Sequence, residues 1–202
     1  PVIGPLVMAG VTINEKDETK LKEIGVKDSK LVPKDKRELL FKQILSIVKD
    51  YKIISLTPDI IDKTLLSTNS NLNKLEAETT TQILNYLKPK KAIIDLPDKN
   101  QDRYQNYIKK DLRVDVELIT EHKADYNYPV VAAASILAKV TRDRYLNFLK
   151  EQFGEDFGSG YMTDEKTTKF LEKHWNNTKI HFFRKEWQSW KNMKIKKTQK
   201  RL

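Results

Sequence analysis

The chain has 202 residues, 38 Lys or Arg against 28 Asp or Glu, and a formal charge of +10. That is long enough for one domain with a proper core, and the basic excess favours nucleic acid or an anionic membrane as partner. With no apolar run of transmembrane length and no signal-peptide pattern, a membrane span is not expected; the absence of Cys excludes disulfides and thiolate metal sites and agrees with a cytoplasmic setting.

In chain order, residues 1–5 are turn-like and residues 6–13 read as a strand. Residues 14–19 form a charged, exposed connection of the hairpin kind. Residues 26–31 are a polar loop in which Lys27, Ser29 and Lys30 either hold a phosphate or make a turn before a helix. Residues 34–50 show helical spacing (Leu40, Ile44, Ile47, Val48, Tyr51). Residues 52–56 read as a strand, Thr57-Pro58-Asp59 starts a short helix, and residues 71–87 form an amphipathic helix (Leu72, Leu75, Thr79, Ile83, Leu87). Residues 91–97 are a short buried strand with Asp95 near its end. A lone buried carboxylate is costly without a cation or donors, so Asp95 is a metal ligand or a helix cap. Asp98 and Asp102 read as solvated acids at the start of a helix over residues 100–110, outside any site. Residues 113–119 are a strand.

The stretch 120–140 then turns a strand into a helix, a corner at which open sheets keep ligands. It carries Glu121, His122, Lys123 and Asp125, a candidate metal or phosphate site or a solvated polar loop. Pro129 opens a helix to residue 150 whose first half is rich in Ala. Ser135, Lys139 and Arg142 fall at helical spacings and share a face that meets backbone phosphates or is an ordinary charged face. Residues 153–163 form a glycine-rich loop presenting Tyr161. Asp164 caps a helix reaching about residue 175. Residues 179–202 hold nine Lys or Arg and one Glu. Trp187 and Trp190, three apart, are expected to share the helix face that docks on the domain, leaving a basic remainder for nucleic-acid backbone and a mobile end over residues 194–202.

Several of these segments, in order, resemble the archaeal form of ribonuclease HII: Gly-Val-Lys-Asp-Ser-Lys-Leu (25–31), the strand ending at Asp95, Glu-His-Lys-Ala-Asp, Tyr-Pro-Val-Val and Ala-Ala-Ser-Ile-Leu-Ala-Lys-Val-Thr-Arg-Asp-Arg (within 121–144), and Phe-Gly-Ser-Gly-Tyr (157–161). The resemblance covers nearly the whole chain. It implies an α/β (mixed α+β) ribonuclease H-like fold with a mixed five-stranded sheet flanked by helices. Residues 1–175 would be the catalytic domain and residues 176–202 a basic helical part packed on or extending from it.

The resemblance further implies an endoribonuclease acting on RNA–DNA hybrids and on DNA with embedded ribonucleotides. It would cut on the 5′ side of the ribonucleotide to leave a 3′-hydroxyl and a 5′-phosphate. Asp95 and Asp125 become catalytic metal-binding carboxylates for Mg²⁺ or Mn²⁺, two ions at catalysis. Tyr161 packs on the sugar at the junction, with Lys27, Ser29, Lys30, Lys123, Ser135, Lys139 and Arg142 near the substrate. A monomer is expected. The sequence departs from the family at Met162, often Pro, and at its start. Family members open with a strand ending Gly-Ile-Asp-Glu-Ala-Gly-Arg-Gly, which supplies two more carboxylates, reads the ribose 2′-hydroxyl and lies in the middle of the sheet. This strand is expected upstream of Pro1. The rival readings are a non-catalytic nucleic-acid-binding module and another metal nuclease of the same fold.

Overall fold

The computed structural model describes residues 1–26 and 32–199. Lys27, Ser29 and Lys30 therefore lie outside the described residues. Along the chain run β1 (Leu6–Thr12), a short 3₁₀ turn (Glu15–Asp17), α1 (Glu18–Glu23), α2 (Lys34–Ile47), β2 (Asp50–Leu56), α3 (Pro58–Leu66), α4 (Leu72–Leu87), β3 (Lys91–Asp95), α5 (Gln101–Lys110), β4 (Glu117–Glu121), α6 (Ala124–Asn127), α7 (Pro129–Phe153), α8 (Glu165–His174) and α9 (Gln188–Gln199). They divide into two compact units: Val7–Ile54 with Asn73–Thr141, and Pro1–Leu6 with Ser55–Leu72 and Arg142–Leu202.

The first unit is built on two apolar clusters. In one, Leu40, Phe41 and Ile44 of α2 pack with Leu21, Val26 and Val32 against Ala132, Ala133, Ile136, Leu137 and Val140 of α7. The alanines let the helix come close, and each fully buried Ile or Leu contributes about 1.5–3 kcal/mol. In the other, α4 and α5 cover β3 through Ala77, Leu84, Ala92, Leu96, Tyr104 and Ile108. The buried hydroxyl of Thr81 reaches both Ala77 O (2.9 Å) and Ile108 O (3.1 Å), so a polar group inside this cluster is satisfied. Gly10 is needed on β1 because a Cβ there would come within 2.5 Å of Ile83 on α4.

The sheet differs from the expected one. The described residues form two two-stranded sheets, β1 with β2 and β3 with β4, the latter parallel with Asp95 opposite Glu121. Among the described residues no further strand joins these two pairs. Other local expectations also change. Residues 14–19 fold into the 3₁₀ turn and the start of α1, because Asp17 is only 7 % exposed and accepts from Asn14 Nδ2 (3.0 Å) while pairing with Lys20 (2.8 Å). The strand expected over residues 113–119 runs later, over Glu117–Glu121.

The second unit is organised by phenylalanines. Phe157, Phe170 and Phe183 are buried with Val2, Ile3, Leu146, Leu171, Ile180 and Met193, and Phe153, Phe182 and Trp190 pack against them. Phe153 meets Phe170 edge-on at 5.3 Å, a geometry that adds to simple burial. Ile3 and Phe183 form an antiparallel bridge. The buried Arg184 donates from Nε to Gly4 O (2.9 Å), while Asp62 on α3 accepts the backbone N–H groups of Lys185 (2.8 Å) and Glu186 (2.9 Å). The two tryptophans do not share a helix face: α9 begins at Gln188, Trp187 precedes it and lies over Arg184 at 5.1 Å, and Trp190 alone faces the phenylalanine cluster.

Candidate active site

The site begins where β3 and β4 end side by side. Their parallel register brings Asp95 opposite Glu121, and Leu96 N donates to Glu121 O (2.9 Å), so the two strand ends are locked together. The chain then turns at Lys123, which takes the left-handed conformation (φ 59°, ψ 36°). A residue other than glycine is strained there by about 1–2 kcal/mol. The strain is offset because the turn aims Ala124 N at Asp95 Oδ1, 3.1 Å away. Asp125 is the next residue, buried at 9 % exposure in the first turn of α6. Asp95 and the segment carrying Asp125 are thereby joined at one corner, although they lie 30 residues apart in sequence.

Asp95 itself is exposed. It is not the buried carboxylate that an apolar strand suggests: within β3 Ala92 is buried, and the last side chain of the strand stands exposed. The buried acid is Asp98, at 1 % exposure, which was expected to be solvated. Arg103 grips it through Nε (3.0 Å) and Nη2 (2.6 Å), and Asn100 N adds a third bond (3.0 Å). These donors hold its carboxyl down at about 2. Asp98 thus anchors the turn after β3, and Asn100 caps α5 by accepting from Arg103 N (2.9 Å).

Glu121 accepts from Asn127 Nδ2 and from the Tyr128 hydroxyl (2.9 Å); the latter bond keeps the phenol above its ordinary value. His122 is exposed, with Nδ1 3.0 Å from Leu96 O. A carbonyl can only accept, so Nδ1 carries the proton in this bond. Lys123 is exposed, and Ser135 and Lys139 are half-buried on α7. Among the described residues no group of three or more His, Cys, Asp or Glu side chains comes together as a metal cluster. The donors at the corner are carboxylate oxygens, the hard type that Mg²⁺ and Mn²⁺ prefer, and Mg²⁺ commonly binds through one or two carboxylates with water and phosphate completing the shell.

In the second unit the glycine-rich loop has the shape its sequence requires. Gly158 and Gly160 take φ of 71° and 78°. Asp164 caps α8 through Lys166 N (3.0 Å) and also accepts from Ser159 N (2.7 Å). The buried Thr167 hydroxyl donates to Phe157 O (2.8 Å) and accepts from Gly160 N (3.0 Å). Tyr161 is 41 % exposed at the loop's end. Arg142 departs from the expected phosphate-facing position. It is only 6 % exposed, its Nη2 donates to Ser159 O (3.0 Å) and Ile3 O (3.3 Å), and its guanidinium lies 4.9 Å from the Tyr161 ring centre. Burial pushes its pKa down from the usual arginine value. The physical reason for the departure is that helical spacing places a side chain on a face but does not say what covers that face.

The model of the ribonuclease HII family matches residues 1–191. Ribonuclease HII of Pyrococcus furiosus is 44 % identical over 98 % of this chain and 90 % of its own length. The crystal structure of ribonuclease H2 from Pyrococcus horikoshii OT3 is similar at a TM-score of 0.86, with 39 % identity over 97 % of this chain and 92 % of that one. A structure of the PCNA:RNase HII complex from Archaeoglobus fulgidus is similar at a TM-score of 0.83, with 37 % identity over 95 % of this chain and 90 % of that one. No helix among the described residues is long and apolar enough to cross a membrane. A match over nearly the whole chain, joined to a ribonuclease H-like fold, places this chain in the ribonuclease HII family, whose members are ribonuclease H-type hydrolases.

Proposed function

We propose that the chain is a metal-dependent endoribonuclease that cuts RNA in RNA–DNA hybrids and DNA at embedded ribonucleotides. Cleavage falls on the 5′ side of the ribonucleotide and leaves a 3′-hydroxyl and a 5′-phosphate. The observation that carries this reading is the bond from Ala124 N to Asp95 Oδ1, which ties one carboxylate to the corner that bears the other, Asp125. Asp95 and Asp125 would hold Mg²⁺ or Mn²⁺. Bound there, such an ion supplies an activated water and neutralises charge on the phosphodiester, two ions serving attack and departure.

The chain's own residues do the rest. Asp98 and Arg103 fix the turn that follows Asp95. The locked ends of β3 and β4 keep the two carboxylates from drifting apart, because oriented groups lose less freedom when the substrate arrives. Tyr161 packs on the sugar at the junction, and the 2′-hydroxyl is the feature that separates RNA from DNA at one nucleotide. Lys123, Ser135 and Lys139 supply polar and cationic groups for the backbone, with Lys27, Ser29 and Lys30 in the same role. The basic excess of +10 strengthens association with any nucleic acid and makes it depend on salt.

The test is incubation with a DNA duplex carrying one ribonucleotide, in Mg²⁺, Mn²⁺ or chelator. Metal-dependent cutting 5′ of the ribonucleotide, with all-DNA duplex left intact, is expected. Equal cutting of all-DNA duplex would overturn the substrate assignment. Cutting that survives chelation, or survives Asp95→Asn, would overturn the carboxylate mechanism.

A further inference from the structure

We propose that Arg142 is a positioning residue. Its buried guanidinium holds the glycine-rich loop and the Tyr161 ring in the pose that meets the ribonucleotide sugar, and so contributes to discrimination between ribose and deoxyribose. The proposal rests on the reading of Tyr161 as the sugar contact.

Two donors of Arg142, Nε and Nη1, are buried without a hydrogen-bond partner among the described residues, and Nη1 stands 3.9 Å from a carboxylate oxygen of Asp143. A buried charge with unfilled donors is a poor way to stabilise a fold, since an apolar side chain of similar size fills such space at lower cost. The bonds Arg142 does make all converge on the loop and its neighbour. Nη2 reaches the carbonyls of Ser159 and Ile3, and the guanidinium carbon lies 4.9 Å from the ring centre of Tyr161.

Residue 160 is fitted to this arrangement. A Cβ on Gly160 would stand 3.0 Å from Arg142 Nη2 and 2.9 Å from Ile3 O. Gly160 O in turn accepts from Val2 N (2.8 Å), so guanidinium, loop and segment 1–4 close on one another. Tyr161, exposed on its outer side, has its inner side placed by a cation that cannot move without disturbing the loop. A guanidinium over an aromatic face is an attractive, direction-dependent contact, and a flat fork is better suited to it than an ammonium.

The experiment measures Kd by fluorescence anisotropy, in chelator, for a duplex with one ribonucleotide and for the same sequence in all-DNA form. The readout is the ratio of the two constants, which partial unfolding leaves unchanged because it weakens both equally. Parent, Arg142→Lys, Tyr161→Ala and the double variant are compared. Expected is a fall in the ratio on the order of tenfold or to unity for each single variant, with the double no lower than Tyr161→Ala. A ratio preserved in Arg142→Lys, or losses that multiply in the double variant, would overturn the proposal. Arg142→Gln, which removes the buried charge and its desolvation, replaces Arg142→Lys if that variant does not fold; the ratio must fall there too. A parent ratio of one would instead sink the ribonucleotide reading, and a ratio unchanged in Tyr161→Ala would sink the sugar-contact role, each taking this proposal with it.

Discussion

Gly160→Ala and Gly154→Ala form a matched pair. Both glycines have positive φ, 78° and 74°, so each alanine incurs the left-handed backbone penalty, about 1 kcal/mol. At Gly154 nothing lies within 4 Å of the new methyl, and the cost ends there. At Gly160 the methyl would meet Ile3 O at 2.9 Å, Arg142 Nη2 at 3.0 Å and Ile3 Cβ at 3.2 Å. A backbone oxygen cannot step aside as a flexible side chain does. The loop must shift, loosening the bonds from Val2 N to Gly160 O (2.8 Å) and from Gly160 N to Thr167 Oγ1 (3.0 Å). At about 0.5–1.5 kcal/mol for each weakened bond, Gly160→Ala should cost roughly 2–4 kcal/mol in all, some 1–3 kcal/mol more than Gly154→Ala. Urea denaturation followed by far-ultraviolet circular dichroism gives the two midpoints, comparable where the slopes agree. Equal midpoints would refute the claim that residue 160 is sterically enclosed.

Asp95→Asn keeps an oxygen for Ala124 N and should leave the fold intact, while single-turnover cleavage of a duplex with one ribonucleotide falls at least about a hundredfold; near-parent rates would remove Asp95 from the chemistry. Thr167→Val strips the partner from Gly160 N and Phe157 O, both in a buried setting, and should lower stability by about 2–4 kcal/mol, read as a lower melting temperature. Asp98, held at about 2, lies below its unfolded value of about 3.9, so its pairing with Arg103 stabilises fully above pH ~4 and fades as pH falls toward 2. Asp98→Asn should therefore be less stable than the parent at pH 7, with the two converging near pH 2; a gap that stays constant with pH would refute the assignment.

Regular periodicity and caps carried well from sequence to structure. The helix expected over residues 34–50 is α2, which ends at Ile47; buried Leu40 and Ile44 are two of the residues that defined the spacing, while Val48 caps the helix and Tyr51 already belongs to β2. Asp164 caps α8 as its position before the helix implied. Ala132 and Ala133, in the alanine-rich first half of α7, pack closely, because small side chains leave room that larger neighbours occupy. What the sequence hides is partnership across distance. Asp98 looks solvated until Arg103 is seen to cover it. Arg142 looks like a surface cation because its acceptors are backbone carbonyls 139 and 17 residues away, and carbonyls have no signature in a sequence. Helix α6 is four residues long, too short for any period to register. The tie between Asp95 and Ala124 depends on the left-handed turn at Lys123, a conformation no one expects of lysine from its propensity.

The three tryptophans of the chain, Trp175, Trp187 and Trp190, all belong to the unit that carries Tyr161, and the unit that carries Asp95 and Asp125 has none. Indole emission from this protein is accordingly a regional signal. It follows the phenylalanine-rich unit, to whose packing Trp190 is bound, and is blind to local opening around the carboxylates. Tyrosine emission and helical ellipticity sample both units. If the two halves loosen at different temperatures, the emission and ellipticity curves will separate, and the wavelength chosen by the observer will decide which half of the molecule is seen to melt.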